Sequence, residues 1–286
     1  MTIQIRPIRT HDEYRAVEQL QREVWRLEDA EIVPDHVLIT AHKNGGVLLG
    51  AFEGLPHEEQ RLVGFVFGFA GLTADDTLKH CSHMLGVVSP YRSQGLGYRL
   101  KLAQREQVLN QGIDLVTWTY DPLESRNAYL NFHKLGATCR TYLRDLYGDM
   151  RDELNAGLPS DRFRVDWHVA SEHVVRRLQD DWCGPSLPLL LSAAVPILNS
   201  FPPGEQPRPP QTVRPLEGDQ LLIQIPAHFQ VIRAADMPLA RAWRAHTRTL
   251  FEAAFAAGYA VVDLLFEQGR SCYLLRKDGQ REDRKD

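Results

Sequence analysis

Cysteine is scarce in this chain of 286 residues: Cys81, Cys139, Cys183 and Cys272 stand far apart and form no C-x-x-C pair. That spacing excludes a zinc ribbon and a small disulfide-stapled scaffold. Long apolar runs are lacking too. The most apolar stretch, Leu187 to Leu198, is too short to span a bilayer and is broken by Pro188 and Pro196. The start, Met1 to Arg6, alternates like a strand and has no secretory apolar core. With 33 basic against 37 acidic residues, the net charge of −4 does not exclude a duplex-binding surface, but nothing basic is concentrated enough to suggest one. Neither G-x-G-x-x-G nor G-x-x-x-x-G-K-[ST] occurs, which excludes the usual dinucleotide and nucleoside-triphosphate loops. A cytoplasmic protein with no membrane or nucleic-acid partner is the expectation.

What is present is an ordinary globular composition, 43% hydrophobic and 24% charged. Residues 2–8 alternate as a strand, and Thr10 precedes a helical pattern in which Tyr14, Val17, Leu20 and Val24 recur. A second helical piece follows Pro34. Gly46 to Phe52 and Leu62 to Phe69 read as an antiparallel pair, and Cys81 to Val88 as a strand ending at Pro90. A helix from about Leu96 to Gln111 places Leu100, Ala103, Gln107 and Val108 on neighbouring turns, with Gly112 as its stop. The β-branched and aromatic run Asp114 to Tyr120 predicts a buried strand. Glu124 to Leu135 then reads as a helix closed by Gly136, and Ala137 to Tyr147 as a strand. Phe163 to Val169 extends the sheet. This order predicts an α/β fold: a mixed, mostly antiparallel sheet with one parallel strand–helix–strand crossover and helices on its faces.

The prolines from Pro185 to Pro215 exclude a long helix or an interior strand there, so residues 171–218 read as a proline-rich linker or lid-like excursion between a domain of residues 1–170 and a C-terminal α/β extension of residues 219–286. In the extension, Leu221 to Ile225 is a strand and Asp236 with Pro238 starts a long helix. Tyr259 to Phe266 and Ser271 to Leu275 form a hairpin around Gln268-Gly269-Arg270.

The stretch Leu85-Gly86-Val87-Val88-Ser89-Pro90-Tyr91-Arg92-Ser93-Gln94-Gly95-Leu96-Gly97-Tyr98 reads as a strand end, a glycine-bearing loop and a first helical turn. Free N–H groups at a helix start, with the positive end of its dipole, hold phosphate well. Gly95 and Gly97 let a ligand approach the backbone. With Arg92-x-x-Gly95-x-Gly97 in this setting, residues 3–150 resemble the GNAT superfamily of acyl-CoA-dependent N-acyltransferases, whose pyrophosphate loop is R/Q-x-x-G-x-G/A. A second family signal, N-x-x-A-x-x-x-Y-x-x-x-G-F, falls on Ser125, Ala128, Phe132, Gly136 and Ala137, where only Ala128 and Gly136 agree. A narrower likeness is to long GNAT-like proteins with a W-T-F/Y-D-P-L strand end and an N-x-x-x-N helix, here Trp118 to Leu123 and Asn127 with Asn131. Some of those resemble amino-acid N-succinyltransferases.

The resemblance implies acetyl-CoA or succinyl-CoA as acyl donor and no metal. It places the pyrophosphate on the N–H groups of Ser93, Gln94, Gly95, Leu96, Gly97 and Tyr98, the pantetheine along Val87 and Val88, and Arg92 beside the charge. It calls for a base near the amine. His83, on the strand before the loop and with an ordinary pKa of ~6.5, is the first candidate. Asp121, at the end of the flanking strand, is a second, against an Asx turn before Pro122. Asn127 and Asn131, four residues apart, would share a helical face toward pantetheine or acceptor, against a plain exposed polar face. Phe132 stands where many relatives carry a tyrosine that protonates the leaving thiolate; Tyr129 and Tyr120 are substitutes, and a thiol of pKa ~8.5 leaves tolerably unaided. Ser160-Asp161-Arg162 precedes a strand, within reach of an acceptor pocket, with a structural ion pair as the favoured role. The C-terminal element repeats strand, long helix, strand, strand without a second R-x-x-G-x-G, so it is a degenerate half of the same fold or a dimerisation or pocket-closing piece. The expectation is an N-acyltransferase acting on a small-molecule amine, an amino acid favoured, with one CoA site per chain and a homodimer open to it; the alternative is a non-catalytic acyl-CoA-binding module.

Overall fold

Thr10 begins the first helix with a reciprocal cap: its hydroxyl accepts from the Glu13 N–H, and the Glu13 carboxylate accepts from the Thr10 N–H. Such a cap contributes about 1 kcal/mol. The computed structural model of the chain describes residues 2–26, 31–55, 60–92, 94–148, 150, 156–204 and 206–277. Packing separates two compact units, Met1–Trp118 with His168–Ser171, and Thr119–Arg151 with Asn155–Trp167 and Glu172–Asp286.

In the first unit the elements run β1 (Ile3–Pro7), α1 (His11–Trp25), α2 (Asp35–Lys43), β2 (Val47–Glu53), β3 (Arg61–Leu72), β4 (Leu78–Val87), a 3-10 turn (Ser89–Tyr91), α3 (Leu96–Asn110) and β5 (Leu115–Tyr120), whose last two residues belong to the second unit. The strand order is β1-β2-β3-β4-β5. All pairs are antiparallel except β4 with β5, which is parallel and matches His80 to Val116 and Cys81 to Thr117. This is the mixed, mostly antiparallel sheet with a parallel crossover through α3.

Helices cover both faces. A side chain at Gly64 would meet Leu100 of α3 at 3.3 Å, whereas one at Gly86 would meet Trp25 and Leu20 of α1 at 3.0 and 3.3 Å. Gly86 pairs with Phe65, the neighbour of Gly64, and successive strand residues face opposite ways. So α1 and α3 lie on opposite faces, and β2 is accordingly a near-continuous buried run. Trp25 meets Phe65 edge to face at 6.0 Å, a geometry that adds about 0.5–1.5 kcal/mol beyond burial.

In the second unit the elements are α4 (Ser125–Ala128), a π-helical turn (Tyr129–Lys134), β6 (Thr138–Leu143), β7 (Arg162–His168), α5 (Glu172–Arg177), α6 (Leu187–Ser192), β8 (Gln220–Ile225), α7 (Phe229–Ala235), α8 (Met237–Ala256), β9 (Tyr259–Glu267) and β10 (Arg270–Lys277). The strand order is β7-β6-β9-β10-β8, antiparallel at each pair. Phe163 of β7 meets Phe251 of α8 edge to face at 4.7 Å, in a core that also holds Tyr142 and Tyr273.

The proline-rich stretch is held against β8 rather than left as a free connection. Ile197 makes a parallel bridge to Leu222, and the Asn199 amide pairs with the Gln224 backbone at 2.8 Å in both directions. The Gln224 side chain in turn donates to the Phe201 carbonyl and accepts from its N–H. Side-chain amides supply the pairing that proline denies to the backbone. Among the described residues no helix is long and apolar enough to cross a membrane.

Candidate functional site

The glycine loop of the first unit starts where β4 ends. Val87 and Val88 bury their side chains, and the 3-10 turn at Pro90 reverses the chain. Gly95 is the N-cap of α3 in the left-handed region, at φ +75°, with nothing within 4 Å of where a Cβ would stand. Glycine is there for its backbone, not for room. It also leaves the helix start without a side-chain cap, so the first turn, Leu96, Gly97 and Tyr98, receives no acceptor from the capping position. Leu96 anchors the turn by burial, and the Gln94 side chain donates to the Pro90 carbonyl at 2.8 Å. Ser93 lies outside the described residues. Arg92 donates through Nε to the Val87 carbonyl at 2.9 Å and through Nη2 to the Val24 carbonyl at 3.3 Å. Its guanidinium therefore ties the loop to β4 and to the end of α1.

On the same strand, the β3–β4 register passes from Phe67/Met84 to Gly68/Ser82 and leaves His83 without an opposite residue. His83 is the extra residue of a β-bulge, a device that re-aims a side chain. Its ring lies against Phe67 and Phe69, with centroids 6.1 and 5.8 Å away. Although the residue as a whole is exposed, this apolar contact strips water from the imidazole and lowers its pKa below the ordinary 6.5. His83 is thus neutral, a proton acceptor, at neutral pH. It forms one wall of a pocket of about 490 Å³, whose other walls are Phe67 and Phe69 and the α2 side, Val33, Val37 and Ala41.

Beneath the point where β4 and β5 pair lies a buried polar group that the sequence did not mark. Lys101 donates to the Ser82 hydroxyl at 2.7 Å and to Gln104 at 3.2 Å, and its ammonium sits 3.9 Å over the Trp118 ring. Gln104 bridges on to His80 at 3.1 Å. Burial lowers the Lys101 pKa to about 7; burial, and then the Lys101 charge, lower His80 to about 4. The α3 face predicted from Ala103 and Gln107 is rotated from the observed one, which buries Lys101 and Gln104 with Leu100 and Val108, while Gln107 is exposed.

In the second unit Asp121 is engaged on all sides. Arg244 grips its carboxylate with both Nη groups, Nη1 to Oδ1 at 2.7 Å, and the Leu123 N–H donates to Oδ1 at 2.8 Å. Burial would lower the Arg244 pKa, but the Asp121 charge holds it above the usual range. The geometry makes Asp121 an Asx-turn residue and the anchor of a buried ion pair. Asn127 and Asn131 do not share an environment: Asn127 is exposed and Asn131 buried. The helix predicted over Glu124 to Leu135 is α-helical only to Ala128, and the π-turn, with Leu135 N–H donating to the Leu130 carbonyl, rotates the residues beyond Ala128 away from that face. Phe132 is fully buried beside Tyr120 and Tyr273; the Tyr120 hydroxyl pairs with that of Tyr273 at 2.9 Å, and burial raises its pKa well above 10.

Asp161 takes Arg248 in a bidentate pair at 2.7 and 2.9 Å and the Tyr142 hydroxyl at 2.7 Å, an ion-pair role with Arg248 as its partner. A cavity of about 470 Å³ here is flanked by Arg241, Arg244 and Arg248. Arg244 and Arg248 are paired with the Asp121 and Asp161 carboxylates, and Arg241 donates to the Gly157 carbonyl. Among the described residues no group of three or more His, Cys, Asp or Glu side chains is placed to hold a metal.

No protein-family model matches the chain, and no curated protein matches it. Solved structures resemble it over more than half its length. One is the NatC complex bound to Gag peptide and CoA, with 15% identity over 59% of this chain and 99% of that one, TM-score 0.47. Another is the Escherichia coli ribosomal-protein-S18-alanine N-acetyltransferase, with 12% identity over 64% of this chain and 100% of that one, TM-score 0.44. A third is aminoglycoside 6'-acetyltransferase type Ii, with 17% identity over 60% of this chain and 99% of that one, TM-score 0.44.

Proposed function

We propose that the chain is an acyl-CoA-dependent N-acyltransferase of the GNAT type, which moves an acetyl or succinyl group onto the amine of a small molecule, an amino acid by preference. The observation that carries this reading is the layout of β4: one end runs into an uncapped helix start shaped by left-handed Gly95, and the bulge at His83, on the same strand, opens onto a pocket. The CoA pyrophosphate sits on the first-turn N–H groups of α3, with Arg92 donors beside it. Pantetheine runs along the edge of β4 at Val87 and Val88. That edge is matched to β5 only at His80 and Cys81 among the described residues.

The amine nitrogen attacks the thioester carbonyl carbon, the C–S bond breaks, and CoA leaves as thiolate. His83, neutral at working pH, takes the proton the nitrogen loses. Backbone N–H groups at the open β4 edge stabilise the carbonyl oxyanion. Asp121 has no part in this chemistry because Arg244 holds its carboxylate.

The test is thiol release from acetyl-CoA and succinyl-CoA across a panel of amines. His83→Gln is expected to lower kcat by roughly 10²–10⁴-fold at unchanged acyl-CoA affinity, the usual contribution of a general base. In the parent protein the rate falls as pH drops through a pKa below 6.5. Tight CoA binding with no thiol released from either donor would replace this reading by a non-catalytic acyl-CoA-binding module.

A further inference from the structure

The pocket at His83 is lined mainly by apolar side chains and by no formally charged residue. Val33, Val37 and Ala41 come from α2 and the segment before it, Phe67 and Phe69 from β3, and none of the lining residues is Asp, Glu, Lys or Arg. Its other polar groups are turned to local work or to water. The Thr40 hydroxyl donates to the His36 carbonyl at 2.7 Å, and His36 is exposed with its Nδ1 3.9 Å from the Asp35 carboxylate. An ammonium or carboxylate placed inside would find no charged partner, which makes its desolvation costly. The volume, about 490 Å³, lies in the range of roughly 300–1,000 Å³ typical of small-molecule sites. Val37 and Phe69 are 42% and 39% exposed, so two walls of the pocket present apolar surface to water.

We propose that this pocket receives an uncharged apolar side chain of the acceptor, aliphatic or aromatic, and that it selects amines bearing such a group over amines with a second charge. This rests on the acyltransferase reading above and narrows its substrate class. An apolar group inside covers Phe67, Phe69 and Val37 from water and leaves the amine at the mouth beside His83. Rejection follows from the same walls: a charged tail loses its hydration and gains nothing in return.

The experiment uses the full chain with acetyl-CoA or succinyl-CoA and a graded acceptor series, n-propylamine to n-pentylamine, 2-phenylethylamine and 1,4-diaminobutane, read by thiol release. In parallel, calorimetry measures binding of 2-phenylethylamine and 1,4-diaminobutane alone. The expected result is a rise in kcat/KM of about fourfold per added methylene, with 2-phenylethylamine far ahead of 1,4-diaminobutane in both measurements. Val37→Asp, at an exposed position of α2, should reduce kcat/KM for 2-phenylethylamine at least tenfold and narrow the gap to the diamine, with the acyl-CoA dissociation constant as check on folding. Phe69→Ala should act in the same direction. Thiol release that is equal across the series, or best with the diamine, overturns the pocket assignment and leaves the acyltransferase reading standing. If no amine releases thiol, that reading falls, and the calorimetric preference still decides the pocket: equal or absent binding of the two amines overturns it.

Discussion

Arg92 donates from Nε to the carbonyl oxygen of Val87 at 2.9 Å, so the loop between β4 and α3 is fastened to the last residue of the strand before it. The loop is thereby held in the shape that presents the start of α3. An arginine carries five N–H donors, so a guanidinium fastened through Nε retains others for an anion.

Removing this tie should loosen CoA without unfolding the chain. Hydrogen bonds to charged groups contribute about 1.5–3 kcal/mol, so Arg92→Ala is expected to weaken CoA binding by roughly 10- to 100-fold in calorimetry. Gly95→Ala forces a Cβ into the left-handed region, a strain of about 1–2 kcal/mol, and should weaken CoA binding in the same way although the space around it is empty. Undiminished affinity in both variants would refute the loop assignment.

One CoA per chain is expected from comparing two helix starts. α3 begins with uncapped Gly95, whereas α8 begins with Asp236, whose carboxylate already accepts from the Leu239 N–H at 2.9 Å, and with Pro238, which has no N–H at all. Equilibrium titration should give a single site per chain. A stoichiometry of two would contradict this.

Lys101 makes stability depend on pH in a defined direction. Its pKa is about 7 in the folded chain against an ordinary 10.5, so between these values the unfolded state binds more protons and stability rises with pH. Below about 7 both states are protonated and the destabilisation is complete. Denaturant midpoints should therefore climb from pH 7 to pH 10, and Lys101→Met should flatten the climb. A slope unchanged in the variant would assign it to other groups.

Asp121 and Arg244 should behave as a structural pair. Arg244→Met leaves a buried carboxylate uncompensated, at a cost of about 3–5 kcal/mol. In Asp121→Asn, kcat in whatever fraction remains folded should stay within severalfold of the parent. A loss of a thousandfold in kcat from a fully folded Asp121→Asn variant would instead make Asp121 catalytic.

Much of the fold was legible in the residues because its signals are local. Alternation marked β1, apolar runs bounded by turn residues marked β2 and β3, a β-branched and aromatic run marked β5, Thr10 before the helical period marked the start of α1, and the two loop glycines come directly after a readable strand. The helix after β5 was legible only as far as Ala128, since a π-turn is a packing response with no periodic signature of its own. The short helices α5 and α7 carry no clear signal for a similar reason: each runs for less than two turns, and α7 is held by burying Phe229 and Ile232 rather than by a side-chain cap.

The sequence by itself determined the loop, the strand before it and the helix after it, because backbone dihedrals, caps and hydrophobic period act between near neighbours. Only the tertiary structure decided what the distant polar residues do. The one-residue slip between β3 and β4 makes His83 a bulge residue facing a pocket, and such a slip depends on two strands at once. The partner of Asp121 lies 123 residues away on α8, and the Pro-rich stretch is fastened by amides of Asn199 and Gln224 that only meet once β8 is in place. Charge and hydrogen-bond partners are chosen by distance in space, and spacing along the chain does not encode that distance.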